Sequence, residues 1–300
     1  MADSNQVNQK NRPLKTATTF QEQVGILKAR GLTIEDESCA QNILGRVNYY
    51  RLTAYILPFK DQVNNNYRPG TSFNKICRSY EFDQKLRNIM LYAIEPIEIL
   101  IRTKIAYYHA FKYGVEGYTN PDNFNDRERH DKFMREFRGA IDNNNRTLFV
   151  KHHIKRYGSR FPIWVAVELF SMGMLSKFYS NMKFRDKKKI SSQFTNVGPE
   201  HLGSWLNCIT TLRNRCAHYM RLYYHKFVSV PRLPKGVYSS ANNRIFDIIY
   251  IMKFLYLDHH KWENSIIADL DALIQQYKDD IELRYIGFPD NWLQILKNRP

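Results

Sequence analysis

An all-α fold, a helical bundle, follows from three features of this 300-residue chain. Apolar residues recur at threes and fours through most of its length, strand-type alternation is scarce, and no fixed-period repeat organises it. A hydrophobic content of 43%, with 14% aromatics, is ample for a packed core.

The elements follow in order. Residues 1–18 form a polar lead without apolar periodicity, expected to be disordered. Phe20 to Arg30 places Phe20, Val24, Ile26 and Leu27 on a helix that stops at Gly31, and Thr33, with Glu35 and Asp36 behind it, starts a second helix to Leu44. The aromatic stretch VNYYRLTAYILPF ends at Pro58, and residues 61–70 read as a loop. From Phe73 to Phe111, positions such as Phe82, Leu86, Met90, Ile97, Ile101 and Ile105 mark one long amphipathic helix that Pro96 should bend. GVEGYTNPDNFND breaks it, and a polar helix over Arg129 to Ala140 follows. Pro162 opens a buried helix through Tyr179, KFRDKKK is a basic connection, and a helix from about Glu200 carries LRNRCAHYMRLYYH, residues 212–225. VSVPRLPKG is a loop, and helices over Arg244 to Leu257 and Trp262 to Tyr277 precede GFPDNW. The expected organisation is the lead, a helical and aromatic segment over 19–72 packed on the main domain, and that domain over 73–300.

Charge is concentrated. The net charge is +16, and residues 151–235 hold 16 Lys and Arg against Glu168, Asp186 and Glu200, a net +13. Such a surface fits a polyanionic partner, nucleic acid above all. Four cysteines without CxxC or zinc spacing suit a reducing cytoplasm and imply no metal site or cofactor. The N-terminus lacks an apolar signal core, and the most apolar run, Ile163 to Leu175, is too short to cross a membrane, so a cytoplasmic protein is expected.

On a helical wheel extended through residue 225, Leu202, Leu206, Ile209, Cys216, Met220 and Tyr223 form an apolar stripe that includes Arg213. Asn214, His218, Arg221 and His225 form a polar stripe opposite. An arginine in an apolar stripe needs an anion: an acid such as Glu168 or Glu98, or a phosphate at an active site or subunit interface. Imidazole transfers protons near neutral pH, and guanidinium matches phosphate geometry, so the set has the parts for RNA cleavage by the strand's own 2′-hydroxyl. The plainer alternative is a solvated face.

RNRCAH, Arg213 to His218, resembles the arginine, polar residue, three residues, histidine motif of HEPN-domain ribonucleases. Arg102 to His109 and Arg146 to His152 share the looser spacing, but only Arg213 is followed directly by Asn. Together with VNYYRLTAYILPF, YEFDQKLRNIMLYAIEPIEILIRTKIAY, PIWVAVELFSMGMLSKFYSNM and GFPDNW, in that order, the chain resembles the Abi family of bacterial abortive-infection proteins, AbiD/AbiF type, over roughly residues 20–296. The resemblance implies a HEPN-like helical fold and a metal-independent endoribonuclease acting as a toxin or antiphage effector. It implies a homodimer with a composite site, and in some relatives restraint by a small structured RNA. Carried over by position, Arg213 is the phosphate residue, His218 the acid and base, Asn214 an orienting residue, and Glu168 a supporting partner for Arg213.

Arg185, Lys187, Lys188 and Lys189, with Arg215 and Arg221, are the expected RNA-binding residues. Two other readings stand beside this one: a non-catalytic RNA-binding module on the same basic surface, and a DNA-binding regulator using residues 20–44 as a helix-turn-helix.

Overall fold

The computed structural model describes residues 14–61, 66–234 and 242–298. Most of the lead, part of the 61–70 loop and Lys235 lie outside them; residues 14–18 carry no regular structure. Helices dominate, and isolated bridges are the only β pairing among the described residues. None of their helices is long and apolar enough to cross a membrane. The chain divides into two compact units, residues 1–80 and 81–300.

In the first unit, α1 (Phe20–Ala29) opens with a capping box: the Thr19 hydroxyl accepts from the Glu22 N–H, and the Glu22 carboxylate accepts from the Thr19 N–H. It closes at Gly31 (φ +88°), where Leu32 N–H reaches Leu27 O and Gly31 N–H reaches Lys28 O. α2 (Glu37–Arg46) starts later than the sequence suggests. Asp36, not Thr33, is its cap and accepts from Cys39 N–H, while Thr33 is held in an extended exchange with Thr71 and Phe73. α1 and α2 pack together over Val24, Leu27, Ala40 and Leu44. Lys28, one of two cations in this helical pair, is bridged to Glu37. α3 (Tyr49–Thr53) and a 3-10 turn at Leu57–Phe59 complete the aromatic stretch, with Tyr55 edge-on to Tyr80.

α4 (Phe73–Tyr113) is the expected long helix, with Pro96 inside it. In the second unit its buried side carries Phe82, Leu86, Met90, Ile94, Ile97, Ile101 and Ile105. α5 (Arg127–Asn143) is capped by Asp126. α6 (Leu148–Tyr157), absent from the sequence reading, ends at Gly158 in the left-handed region. The single helix expected over 162–179 is two: α7 (Ile163–Ala166) runs into a 3-10 turn, the chain goes extended at Phe170, and Ser171 caps α8 (Met172–Asn181). KFRDKKK is not a connection but most of α9 (Phe184–Ser191). α10 (Pro199–Ala217) packs on α8 and α9, and on α11 (Ile245–Met252), whose eight residues are all buried, Asp247 among them because it accepts from the Asn242 and Asn243 N–H groups. α12 (His259–Lys261) passes through a π turn (Trp262–Ile267) into α13 (Ala268–Gln276). Before α14 (Trp292–Lys297), Gly287 is required: a Cβ there would sit 2.3 Å from the Asn242 Oδ1.

Candidate functional site

α10 places the motif. Pro199 at its first turn, then Leu202, Trp205, Leu206, Ile209, Leu212 and Cys216, fix which side faces the core. That leaves Arg213 half-buried and Asn214 exposed. The helix does not continue through residue 225. It ends at Ala217, and exposed His218 is its C-cap, the His218 N–H donating to Asn214 O at 3.0 Å.

The closure is a Schellman turn. Met220 N–H reaches Arg215 O at 2.8 Å, Tyr219 N–H reaches Cys216 O at 3.1 Å, and Tyr219 occupies the left-handed region (φ +56°) where glycine is usual. The stripes drawn beyond Ala217 therefore do not exist as helix faces. Met220 is exposed, Tyr223 is buried through the loop rather than the helix, and His225 lies against Phe227. Burial, then the charges of Arg215, Arg221 and Arg244, push His225 down to about 4, so it is neutral near pH 7.

What holds a tyrosine in this conformation is a buried carboxylate. Asp83 of α4 is fully buried, pairs with buried Arg87, and accepts from the N–H groups of Leu222 (3.1 Å) and Tyr223 (2.7 Å). A charged acceptor on two backbone donors is a strong tether. Arg215 adds another, donating to Arg221 O at 2.7 Å and lying over the Phe227 ring. Asp83, Arg87 and this role of Arg215 escaped the sequence reading. Their signal was an acid and an arginine four apart among the core positions of a long helix.

The expected site residues are distributed as follows. The Arg213 guanidinium leans toward Asn214, 3.5 Å from its Oδ1. Arg213 forms no ion pair among the described residues: Glu98 is taken by Arg102 at 2.7 Å, and Glu168 is exposed in the turn after α7, on an apolar cavity with Tyr107, Phe111 and Trp164. Asn214 and His218 are one turn apart on one side, with Arg213 about 140° from His218 on a regular helix. Arg185, Lys188 and Lys189 are exposed on α9, beside α10. Lys187 is half-buried and donates to Ser180 O at 3.4 Å. Arg215 is committed to the loop, and Arg221 lies over the Tyr224 ring.

α9 is oriented by Asp186, fully buried, which accepts from Tyr108 (2.8 Å), Tyr113 (2.7 Å) and Lys112. Burial alone would raise its carboxyl, but these hydrogen bonds and the Lys112 charge outweigh it and hold it below the usual carboxylate range. Cys216, inside the motif, is pushed up to about 12, chiefly by burial, so it is no nucleophile at neutral pH. His109, which ends one of the looser sequence matches, is sealed in the core against Tyr113, Phe124 and Phe178, and burial pushes it down to about 4.

A family model described as Abi-like protein matches residues 42–224, a span that contains α4, the α7–α8 region and the whole RNRCAH turn. No curated protein and no solved structure gives a match.

Proposed function

The chain belongs to the Abi-like protein family, and from that premise we propose that it is a HEPN-type, metal-independent endoribonuclease serving abortive infection. The observation that carries this reading is the end of α10: Asn214 and His218 are exposed and Arg213 is half-buried in its last turns, and buried Asp83 holds the chain just beyond them. Rigid support under exposed polar side chains is what a preorganised site needs.

In the reaction, the His218 imidazole takes the proton of the RNA 2′-hydroxyl, and the 2′-oxygen forms a bond to phosphorus. Arg213 donates to the phosphate oxygens as negative charge gathers on them. The bond to the 5′-oxygen breaks, and that oxygen takes a proton from water while His218 gives its own proton back to solvent, leaving a 2′,3′-cyclic phosphate and a 5′-hydroxyl. The separation of Arg213 and His218 around one helix favours a homodimer in which copies of the chain complete each site. Asn214 orients substrate, and Arg185, Lys187, Lys188, Lys189 and Arg221 track phosphates; Glu168, on its apolar cavity and unpaired with Arg213, is not assigned the supporting role expected of it. The proposal extends to a cytoplasmic toxin restrained by a small structured RNA, which a defined RNA co-purifying with the protein would reveal.

The test is incubation of purified protein with RNA in EDTA. Cleavage ending in 2′,3′-cyclic phosphate, lost in His218→Ala, is expected. Activity that needs a divalent metal, or survives His218→Ala, rejects the assignment. Binding without cleavage, undiminished in Arg213→Ala and His218→Ala, would instead identify an RNA-binding module.

A further inference from the structure

One face of α10 is not spent on the core. Gly203, Asn207, Thr210 and Asn214 fall within about 60° of each other around the helix. At Thr210 this face is closed by α8: the hydroxyl, which donates to Leu206 O at 2.7 Å, lies 3.3 Å from Met172 O. Toward the start of α10, the two antiparallel helices and α5 surround a cavity of about 340 Å³ that Gly203 and Asn207 line.

The cavity is built in two layers. Its interior is aromatic, with Phe133 and Phe178 edge to face at 5.3 Å. Its rim is polar and basic, with Ser180 exposed on α8 and Arg129 and Lys132 exposed on α5. Arg129 is only loosely drawn to Asp126, at 3.5 Å, and Lys132 has no ion pair among the described residues. His130, 3% exposed, forms part of the wall. Its Nε2 lies 2.9 Å from Tyr118 O, which can only accept, so that nitrogen donates, while Nδ1 makes no hydrogen bond and lies 3.9 Å from Asp131 Oδ1.

A flat apolar interior, a few hydrogen-bonding groups and cations at the mouth match an unpaired nucleobase whose phosphates stay outside. From Asn207 to Asn214 is about 10 Å along the helix, a short step along a single strand. We propose that this cavity receives one unpaired base of the RNA held at Arg213 and His218, so that it selects the base read near the cut. The inference rests on the RNA reading above.

The test uses His218→Ala, which stops cleavage, and short single-stranded oligoribonucleotides in which one abasic residue is moved along the chain. Fluorescence anisotropy should show one position where the abasic residue weakens binding about tenfold. Ser180→Trp, a plug at an exposed helical position, should weaken the intact oligonucleotide similarly and abolish that sensitivity. A flat abasic scan, or unchanged binding by folded Ser180→Trp, overturns the proposal. The scan needs no change in the cavity, so it decides the matter even if Ser180→Trp fails to fold. Cleavage by the wild-type chain with a flat scan rejects the cavity alone, whereas a chain that neither binds nor cleaves single-stranded RNA rejects the RNA reading with it.

Discussion

α1 and α10 end in the same geometry by different means. Each closes with a bond from C″ to C3 and another from C′ to C2, and each puts C′ in the left-handed region. At α1 the C′ residue is Gly31, and Leu32 buries itself beside Leu27, so the local sequence is sufficient. At α10 it is Tyr219, for which that conformation is unfavourable by roughly 1–2 kcal/mol, and the turn persists because Asp83 and Arg215 hold the chain beyond it. The turn after α1 uses glycine; the turn after His218 stores strain against a distant tether. That is the pattern expected where function sets the shape.

Removing the tether should have the largest effect. Asp83→Ala leaves the Arg87 charge in the core without its carboxylate and frees the Leu222 and Tyr223 N–H groups, so a loss of about 3–5 kcal/mol is expected in chemical denaturation. Any RNA cleavage should fall with it even where the protein stays folded. Asp83→Asn, which keeps an acceptor, should cost less on both counts.

Next in size is acid sensitivity. His109 and His225 are both held near 4 when folded, whereas an unfolded histidine titrates near 6.5, so the unfolded chain gains protons first as pH falls. The stability they contribute is complete above about pH 6.5 and drains away toward pH 4. For fully buried His109 the loss approaches about 3 kcal/mol. Melting temperatures across pH 7 to 4.5 should show it, and His109→Phe, which keeps a ring against Phe124, should flatten the profile. A profile unchanged by that substitution would mean that His109 is protonated in the fold.

The two glycine exchanges sharpen the contrast directly. Gly31→Ala should destabilise by roughly 1–2 kcal/mol, because it puts a Cβ into the left-handed region. Tyr219→Gly should go the other way, raising stability by up to about 1 kcal/mol once the greater freedom of unfolded glycine is subtracted. Thermal melts of both variants measure this, and a Tyr219→Gly that melts lower would show that the exposed ring itself supports the turn.

The same contrast explains what could be read from the amino acids. α1 and α4 are legible because their apolar spacing agrees with the fold, α5 as a polar helix after a break, and the buried side of α10 up to Cys216 follows the wheel. The end of α10 is not, since no glycine marks it and its anchor lies more than a hundred residues earlier. α9 looked like a charged connection because its anchoring residue is itself charged: Asp186 is buried by partners on α4 that no local pattern announces. The break at Phe170 was hidden in a run apolar on both sides of it. Of the candidate site, the residue types and their order were visible in RNRCAH, while their exposure and the tether beneath them belong to the tertiary fold.

The most direct test of the account mixes two inactive proteins. Arg213→Ala and His218→Ala, each silent alone on RNA in EDTA, should regain roughly a quarter of wild-type cleavage after unfolding and refolding together in equal amounts, because half the dimers are mixed and each of those has one intact composite site. A mixture that stays silent while the wild-type chain cleaves would contradict the sharing of Arg213 and His218 between copies.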